Sequence, residues 1–392
     1  MPLSAFKVVD LTRIIAGPFC TLLLADMGAE VIKVEPPHGD PLRAQGVIKD
    51  GLSWYYVSYN RNKKSIVLDL YKDEGKEILR SFIRQSDVVV DNFRPGVMGK
   101  MGFGYPRLKE LKPDIISCSI TGFGADGPYK DRPAFDFIAQ AMSGFMSLNG
   151  RDGEEPTRVG VPISDLVAGV YAAFGIVTAL IHRAKTGEGQ EVQTSLVDGL
   201  ISFMSYMSAN FLANGGLPKR TGNDHPLVSP YGIFRASDGD LAIAPSNDQV
   251  YFKFLSALGM NHLKEDSRFV NNDLRVARRA EINAIIQEKI AKHPQAYWIE
   301  VLNKAGVPCG TIMNLRQAFD DPQVRHQEMV IEAEHPGHGQ VKMVGFPVKL
   351  SQTKCHVRRP APKLGEHTEE ILRGLGYTAE QIDAYRGRKV IL

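Results

Sequence analysis

The feature that most restricts the fold is an alternation, through the first third of the chain, of short β-branched runs and helix-spaced segments. "FKVVDLT" (residues 6–12) reads as a strand, and "GPFCTLLLADMGA" after it sets Leu22, Leu23, Leu24 and Met27 at helical spacing before closing on Gly28. "EVIKVEPP" is the next strand. "KSIVLDL", the amphipathic helix "KDEGKEILRSFIRQS" and the strand "DVVVDNF" repeat the unit, and "IISCSITGFG" follows as a further strand. A strand, a helix and a strand in succession close as a right-handed parallel crossover. The expected fold class is therefore α/β, on a mostly parallel sheet.

At 392 residues the chain exceeds what one core usually fills, so two lobes are expected. Residues 134–215 are mainly helical in pattern, interrupted by the strand candidate "GQEVQTSL". From Pro226 the texture changes. "YGIFRASDGDLAIAPSND" alternates around an Asp-Gly turn signal and predicts a hairpin, and three amphipathic helices follow. This block, residues 226–325, reads as a small α/β domain after a large one over 1–225. The tail, 326–392, is extended and Pro-rich, with a last helix near "HTEEILRGLG". The stretch "DLVAGVYAAFGIVTALIHRA" has about the length of a membrane span. It starts on aspartate, ends in His-Arg and is rich in Ala and Gly, which reads as a closely packed buried helix.

A net charge of +3, with basic residues scattered among acids, points away from nucleic acid. Short basic groups such as Arg61, Lys63 and Lys64 remain candidates to meet phosphates on a small ligand. Cys20, Cys118, Cys309 and Cys355 form no CxxC pair and read as free thiols, and the ten histidines show no metal-ligand spacing, so no metal is expected. The N-terminus "MPLSAFKVVDLT" lacks the build of a signal peptide; the expected location is cytoplasmic, with no membrane partner.

Gly122-x-Gly124-x-x-Gly127 has the spacing of a dinucleotide site, but such a site needs its glycines between the first strand and a helix. Here "PYKDRPAFDF" follows, and Pro128 and Pro133 oppose a helix starting on Gly127. No nicotinamide is expected; the trio reads as a glycine loop covering a reactive centre, or as a plain exposed connection. Asp165, in "VGVPISDLVAGVYAAFGI", heads a long small-residue helix. A helix cap worth about 1 kcal/mol accounts for an aspartate there. So does a nucleophile: a carboxylate with its pKa near about 4 is ionised at neutral pH, and helix N–H groups would hold it so and aim it. The residues alone leave both open.

Six segments in order, "VVDLTRIIAGPFCTLLLADMGAEVIKVE", "YNRNKKSIVLDL", "DVVVDNFRPGVMGKMGFGY", "SITGFGADGP", "ISDLVAGVYAAFGIVTALIHRAKTGEGQEV" and "DPQVRHQEMV", resemble the class III CoA-transferases, the CaiB/BaiF type that includes formyl-CoA:oxalate and carnitine CoA-transferases. The resemblance implies a Rossmann-like large domain formed by both chain ends, a smaller α/β domain between them, and an interlocked homodimer. It implies coenzyme A as part of the substrate, an acyl-CoA donor, a carboxylic acid acceptor, and Asp165 as the acyl-carrying nucleophile. By motif position, Ile15 and Ala16 would lie near the thioester and pantetheine. Leu68, Asp69, Leu70 and Tyr71 would border the adenosine, Asn92, Phe93 and Arg94 the pantetheine arm, and Lys100 the phosphates. Tyr55, Phe135 and Asp136 would stand near the active site, beside the loop of Gly122, Gly124 and Gly127.

The sequence departs from the family at several points. Pro36 replaces a basic residue that some members carry after the "KVE" strand, and Arg43 is a candidate to compensate. The consecutive glycines of the oxalate enzyme have no counterpart in "GNDHPLVSPYGIF", so oxalate is not the expected acceptor. The look is that of members moving CoA between succinate and glutarate, hydroxymethylglutarate, mesaconate or citramalate. Arg13, Arg61 and His225 are candidates to meet an acceptor carboxylate. The alternatives are an α-methylacyl-CoA racemase of the same fold, which needs a histidine where Phe135 stands, and a non-catalytic CoA-binding protein.

Overall fold

The computed structural model describes residues 1–392. Six strands, β1 (Lys7–Asp10), β2 (Glu30–Glu35), β3 (Lys63–Val67), β4 (Val88–Asp91), β5 (Ile116–Thr121) and β6 (Glu191–Ser195), form one sheet in the order β3-β2-β1-β4-β5-β6. Every pairing in it is parallel. The chain works outward from β1 to one edge, then returns to build the other half from β4. The gap between β1 and β4 is thus a topological switch point, where sheets of this kind bind ligands.

The strands are apolar at successive positions because both faces are covered. The helices around them are α1 (Ala16–Asp26), α2 (Trp54–Asn60), α3 (Asp73–Arg84), α4 (Tyr105–Leu111), α5 (Asp136–Met142) and α6 (Ile163–Thr186), of which α2 packs in a smaller core of its own with Leu42 and Val341. Val8, Val88, Val90 and Ile116 share one core with Leu24 of α1 and Ala172 and Ile176 of α6. Val9, Ile66 and Val89 share the other with Ile78 and Phe82 of α3 and Leu108 of α4. A slip of one residue in register would exchange the two sets, so the pairing is strongly specified. The long apolar stretch is α6, which meets the length and composition of a membrane span and packs its Ala168, Ala172, Ile176 and Ala179 face into the first core. Gly169 lets it lie against α1: a Cβ there would stand 2.8 Å from the Ala16 carbonyl oxygen and 3.0 Å from the Phe19 ring.

Contacts divide the chain into one unit of residues 1–146, 158–210 and 322–392 and another of 147–157 and 211–321. The change of unit at 210 precedes the change of texture at Pro226, because residues 215–231 carry no helix or strand to mark it. The second unit holds the expected hairpin, β7 (Gly232–Arg235) with β8 (Asp240–Ile243), extended by β9 (Cys309–Thr311). Its helices α7 (Asp248–Ala257), α8 (Arg279–Ile290) and α9 (Gln295–Lys304) bury Phe254, Ile286 and Trp298 in a core of their own. The tail forms a second hairpin, β10 (Val330–His335) and β11 (Gly339–Val344), where only extended chain was expected. The helix α10 (Thr368–Gly374) is also not the last: α11 (Ala379–Gly387) follows, started by a capping box of Thr378 and Gln381. Ile371, Leu372 and Ile382 of this pair close the second core of the large unit.

A buried ionic cluster joins the carboxyl end of β1 to the middle of β2 and the start of β3. Lys63 Nζ donates to Asp10 Oδ2 at 3.0 Å, Thr21 Oγ1 at 2.7 Å, Asn60 Oδ1 at 3.0 Å and the Pro18 carbonyl at 3.0 Å. Lys33 Nζ meets Asp40 at 2.9 Å and the Thr12 carbonyl at 2.8 Å. Burial pushes the Asp10 carboxyl up, but Lys63 and Lys33, with the hydroxyls of Thr12 and Thr21, bring it below its ordinary value. Arg61, Lys63 and Lys64 therefore hold the fold rather than a ligand: Arg61 grips Asp26 at 2.7 Å, and Lys64 pairs with Glu30 and Glu370. Removing one partner of such a pair strands a buried charge, so Lys63→Met is expected to cost about 3–5 kcal/mol in chemical denaturation. Arg373→Ala, which breaks the exposed Arg373–Glu369 pair, is expected to cost under about 1 kcal/mol.

Candidate active site

A cavity of about 1060 Å³ opens at the switch point. Its walls are the segments that leave β1 (Leu11–Arg13), β2 (Pro36–Pro41), β3 (Leu68–Tyr71) and β4 (Phe93, Arg94), with Lys76 of α3, Val97, Lys100 and Met101. Seven residues expected at a nucleotide-bearing ligand, Leu68, Asp69, Leu70, Tyr71, Phe93, Arg94 and Lys100, line it. Tyr71 is 96% exposed, an aromatic face held over the rim with nothing packed on it. Asp69 shapes that corner: its carboxylate accepts the Tyr71 N–H at 3.1 Å. Asn92 does not line the cavity. Its side chain clamps the Arg13 peptide, accepting the N–H at 2.9 Å and donating to the carbonyl at 2.8 Å, and so ties β4 to β1 across the switch point. Arg43 does not replace the basic residue missing at Pro36. Its guanidinium is committed to Glu35 at 2.7 and 2.8 Å and stacks on the Tyr56 ring at 3.8 Å. Arg61 is likewise unavailable to an acceptor carboxylate. His38 and Lys76, which the sequence reading passed over, line the cavity instead.

The segment between the cavity and α1 is held in an unusual conformation. Ile14 is a β-branched residue with φ of 67°, in the left-handed region. Asp40 Oδ1 accepts its N–H at 3.3 Å while also capping the turn at Leu42, at 3.0 Å. Ile15 and Ala16 follow directly and open α1, whose first turn offers N–H groups with no intrahelical acceptor. Ile15 and Ala16 are buried, apart from the cavity walls.

The first turn of α6 carries Asp165, one turn ahead of the Gly169 contact with α1. Pro162 is the cap residue and supplies no side-chain bond, so Asp165 does not cap the helix, as the plainer reading had it. Nor do helix N–H groups hold it ionised. Burial, joined by the negative charge of Asp136, pushes its carboxyl up to about 7. Tyr55 and Tyr59, one turn apart on α2 with rings 5.9 Å from each other, stand close enough for the Asp165 charge to act on both phenols; burial is the larger cause in each, and Tyr59 rises to about 12. Phe19 of α1 meets Tyr59 edge-on at 6.1 Å. Tyr59 was not singled out from the sequence, although its four-residue spacing from Tyr55 behind the capping Ser53 is a helical signal.

Gly122, Gly124 and Gly127 follow β5 rather than β1, and no helix begins before Asp136. Gly124 (φ 106°) and Gly127 (φ 80°) take left-handed turns, and the Gly124 N–H donates to Thr121 Oγ1 at 2.9 Å. Arg132 lies 4.4 Å over the Tyr129 ring, giving the loop a small core of its own. Phe135 precedes α5 and is 71% exposed, while Asp136 behind it is buried.

A doubly wound parallel sheet, a basic-rimmed cavity at its switch point and a desolvated aspartate at a helix start define an α/β protein with a ligand cavity where sheets of this class bind their ligands. The profile of CoA-transferase family III matches residues 3–368, and the chain belongs to that family. It is 39% identical over 374 residues to the succinyl-CoA:glutarate CoA-transferase of Homo sapiens, covering 95% of this chain and 85% of that one. It is 40% identical to the acetyl-CoA:oxalate CoA-transferase of Acetobacter aceti, over 93% of each. A CAIB/BAIF family protein from Brucella suis superposes with a TM-score of 0.85 at 39% identity, over 96% of this chain and 99% of that one. The protein is an enzyme of the CoA-transferring class. An oxalate enzyme at this identity means that overall similarity does not single out the acceptor.

The protonation of Asp165 carries a stability consequence. A carboxyl at about 7 when folded and near its model value of 3.8 when unfolded favours the native state fully below about pH 4, and the advantage is lost as pH rises through 7. Asp165→Asn removes the charge, so its melting temperature relative to wild type is expected to rise between pH 5 and pH 8. A constant difference across that range would refute the assigned environment.

Proposed function

We propose that the protein moves CoA from succinyl-CoA to a free dicarboxylic acid, with Asp165 as the residue that becomes acylated. The observation that carries this reading is Asp165 itself: a desolvated carboxylate, with no hydrogen-bonded cation, in the first turn of α6 beside the opening of α1. The succinyl-CoA:glutarate relative supports the choice of donor, and both relatives named above support a dicarboxylate acceptor. Asp165 attacks the donor carbonyl, the carbon–sulfur bond breaks, and CoA leaves as thiolate from an acyl-aspartyl anhydride. The thiolate then attacks the aspartyl carbonyl and expels the donor carboxylate, leaving an aspartyl-CoA thioester. The acceptor carboxylate displaces CoA from that thioester to form a second anhydride. The thiolate takes the new acyl group and frees Asp165. Each step exchanges one activated acyl bond for another and conserves charge.

Tyr71 is suited to the adenine face and Lys100 and Arg94 to the phosphates, as exposed groups around the cavity. First-turn N–H groups of α1 at Ala16 are suited to the oxyanions, and the loop of Gly122–Gly127 to excluding water from the anhydride. An interlocked homodimer is supported by bare apolar side chains. Val170, Phe174 and Ile181 stand 47%, 69% and 54% exposed along one face of α6, and Phe137 and Met142 extend the patch on α5. A cytoplasmic setting accords with substrates of this chemistry.

Asp165→Ala is expected to abolish transfer while CoA still binds. Mass spectrometry of wild type mixed with succinyl-CoA and glutarate is expected to find added mass on the peptide holding residue 165. Unmodified peptide during active turnover would sink the reading. Tyr71→Ala is expected to raise KM for the acyl-CoA about tenfold through lost stacking, with kcat little changed.

A further inference from the structure

The first turn of α6 is capped from outside the helix. With Pro162 offering no side chain, the Ser164 N–H needs an acceptor, and Asp136 Oδ1 on α5 takes it at 2.9 Å together with the Ser164 hydroxyl at 2.9 Å. Asp136 Oδ2 accepts from Gln140 Nε2 at 2.7 Å, and Gln140 Oε1 accepts the Val159 N–H at 2.9 Å, so both ends of the residue are fixed. Asp136 is 7% exposed. A serine or an asparagine would satisfy the same donors without charge. A carboxylate set beside the residue that must itself become an anion is a poor choice for stability alone.

We propose that Asp136 is the positioning residue of the transfer reaction, fixing the first turn of α6 through Ser164 and holding its carboxylate beside Asp165. The proposal rests on the reading of Asp165 as the acylated residue. The groups that face Asp165 are few. Asp136 comes from α5, and Tyr55 and Tyr59 come from α2. On α1, the Ala16 carbonyl and the Phe19 ring pack at Gly169, one turn along α6. Asp198, on the neighbouring helix Leu196–Phe203, is held by the Ser195 hydroxyl at 2.6 Å. Asp136 is thus the charged side chain acting on Asp165, consistent with a carboxyl raised to about 7 by burial and by that charge. The arrangement has a chemical consequence. Acylation turns the Asp165 anion into a neutral anhydride, and the negative charge leaves on the CoA sulfur. The repulsion from Asp136 is relieved in that step, so the same contact that retains the proton also favours the acyl-enzyme over the free carboxylate.

The test is the pH dependence of transfer from succinyl-CoA to glutarate in wild type, Asp136→Asn and the double variant Asp136→Asn/Gln140→Glu. Asparagine keeps the acceptor for Ser164 but turns its amide against Gln140. Glutamate at 140 accepts from both that amide and the Val159 N–H, restoring the bonds with the charge moved one side chain further away. Wild-type kcat/KM is expected to fall below neutrality on a single acid limb near pH 7. The limb is expected to shift toward the ordinary carboxylate range in Asp136→Asn, and to lie below the wild-type value in the double variant. The activity at pH 6, as a fraction of each enzyme's plateau, then rises about twofold or more, burial continuing to hold the carboxyl up. If both variants turn over with the wild-type limb, Asp136 does not set the proton affinity and the proposal fails. A purely structural role would lower the plateau and leave the limb in place, which also overturns it. If Asp165→Ala transfers normally, the underlying reading of the site has failed instead.

Discussion

The contact of Lys63 with Asp10 and their buried neighbours is the constraint on which the rest of the site depends. It joins the end of β1 and the start of β3 to the first turns of α1, through Thr21 and the Pro18 carbonyl. Lys33 carries the same network to Asp40, and Asp40 holds Ile14 in a backbone conformation that a β-branched residue does not adopt unaided. Buried charges seldom add net stability, since desolvation offsets most of their attraction. What they do here is geometric. They fix the exit of β1, and with it the placement of Ile15 and Ala16 against α6.

Two helices open within reach of Asp165, and the chemistry follows from what surrounds their first turns. Gly169 brings α6 against the Ala16 carbonyl, so the start of α1 lies close to the carboxylate one turn away. The walls are aromatic, from Phe19, Tyr55 and Tyr59. Under the proposed mechanism, a poorly solvated carboxylate is a stronger nucleophile than one in water, and an anhydride formed among aromatic rings would meet less water to hydrolyse it. The same desolvation raises the proton affinity. A site of this design exchanges readiness at low pH for reactivity once ionised.

Most of the fold was legible in the sequence, because β-branched runs between amphipathic segments leave few alternatives. Five of the six strands of the parallel sheet fall within the runs read as strands, β3 begins one residue before its run, and the hairpin at Asp238-Gly239 was signalled by its turn. The second hairpin was missed although its strands alternate, with Ile331, Ala333, Val341 and Met343 on one face and Glu332, Glu334, Gln340 and Lys342 on the other, because the Gly and Pro residues around them read as extended chain. At the site, residue types were readable but partners were not. Arg43, Arg61 and Lys63 look like ligand-binding cations in a linear sequence, and nothing local announces Glu35, Asp26 or Asp10 as their partners. Asp165 has the local signature of a cap, yet the capping is done by Asp136, almost thirty positions earlier.

That division of the basic residues has a general use. Lys33, Arg43, Arg61, Lys63 and Lys64 all have acidic partners, and all are buried or partly so. Arg13, Arg94 and Lys100 have no ion pair, and all three line the cavity. An unpaired cation at a cavity wall stays hydrated at little cost to stability, so under the proposed binding of CoA it would be free to pair with a phosphate. A cation already bound to a carboxylate would have to break that bond first, losing much of what the phosphate offers. Charge pairing within the protein therefore separates the residues that build the switch point from those left to serve it.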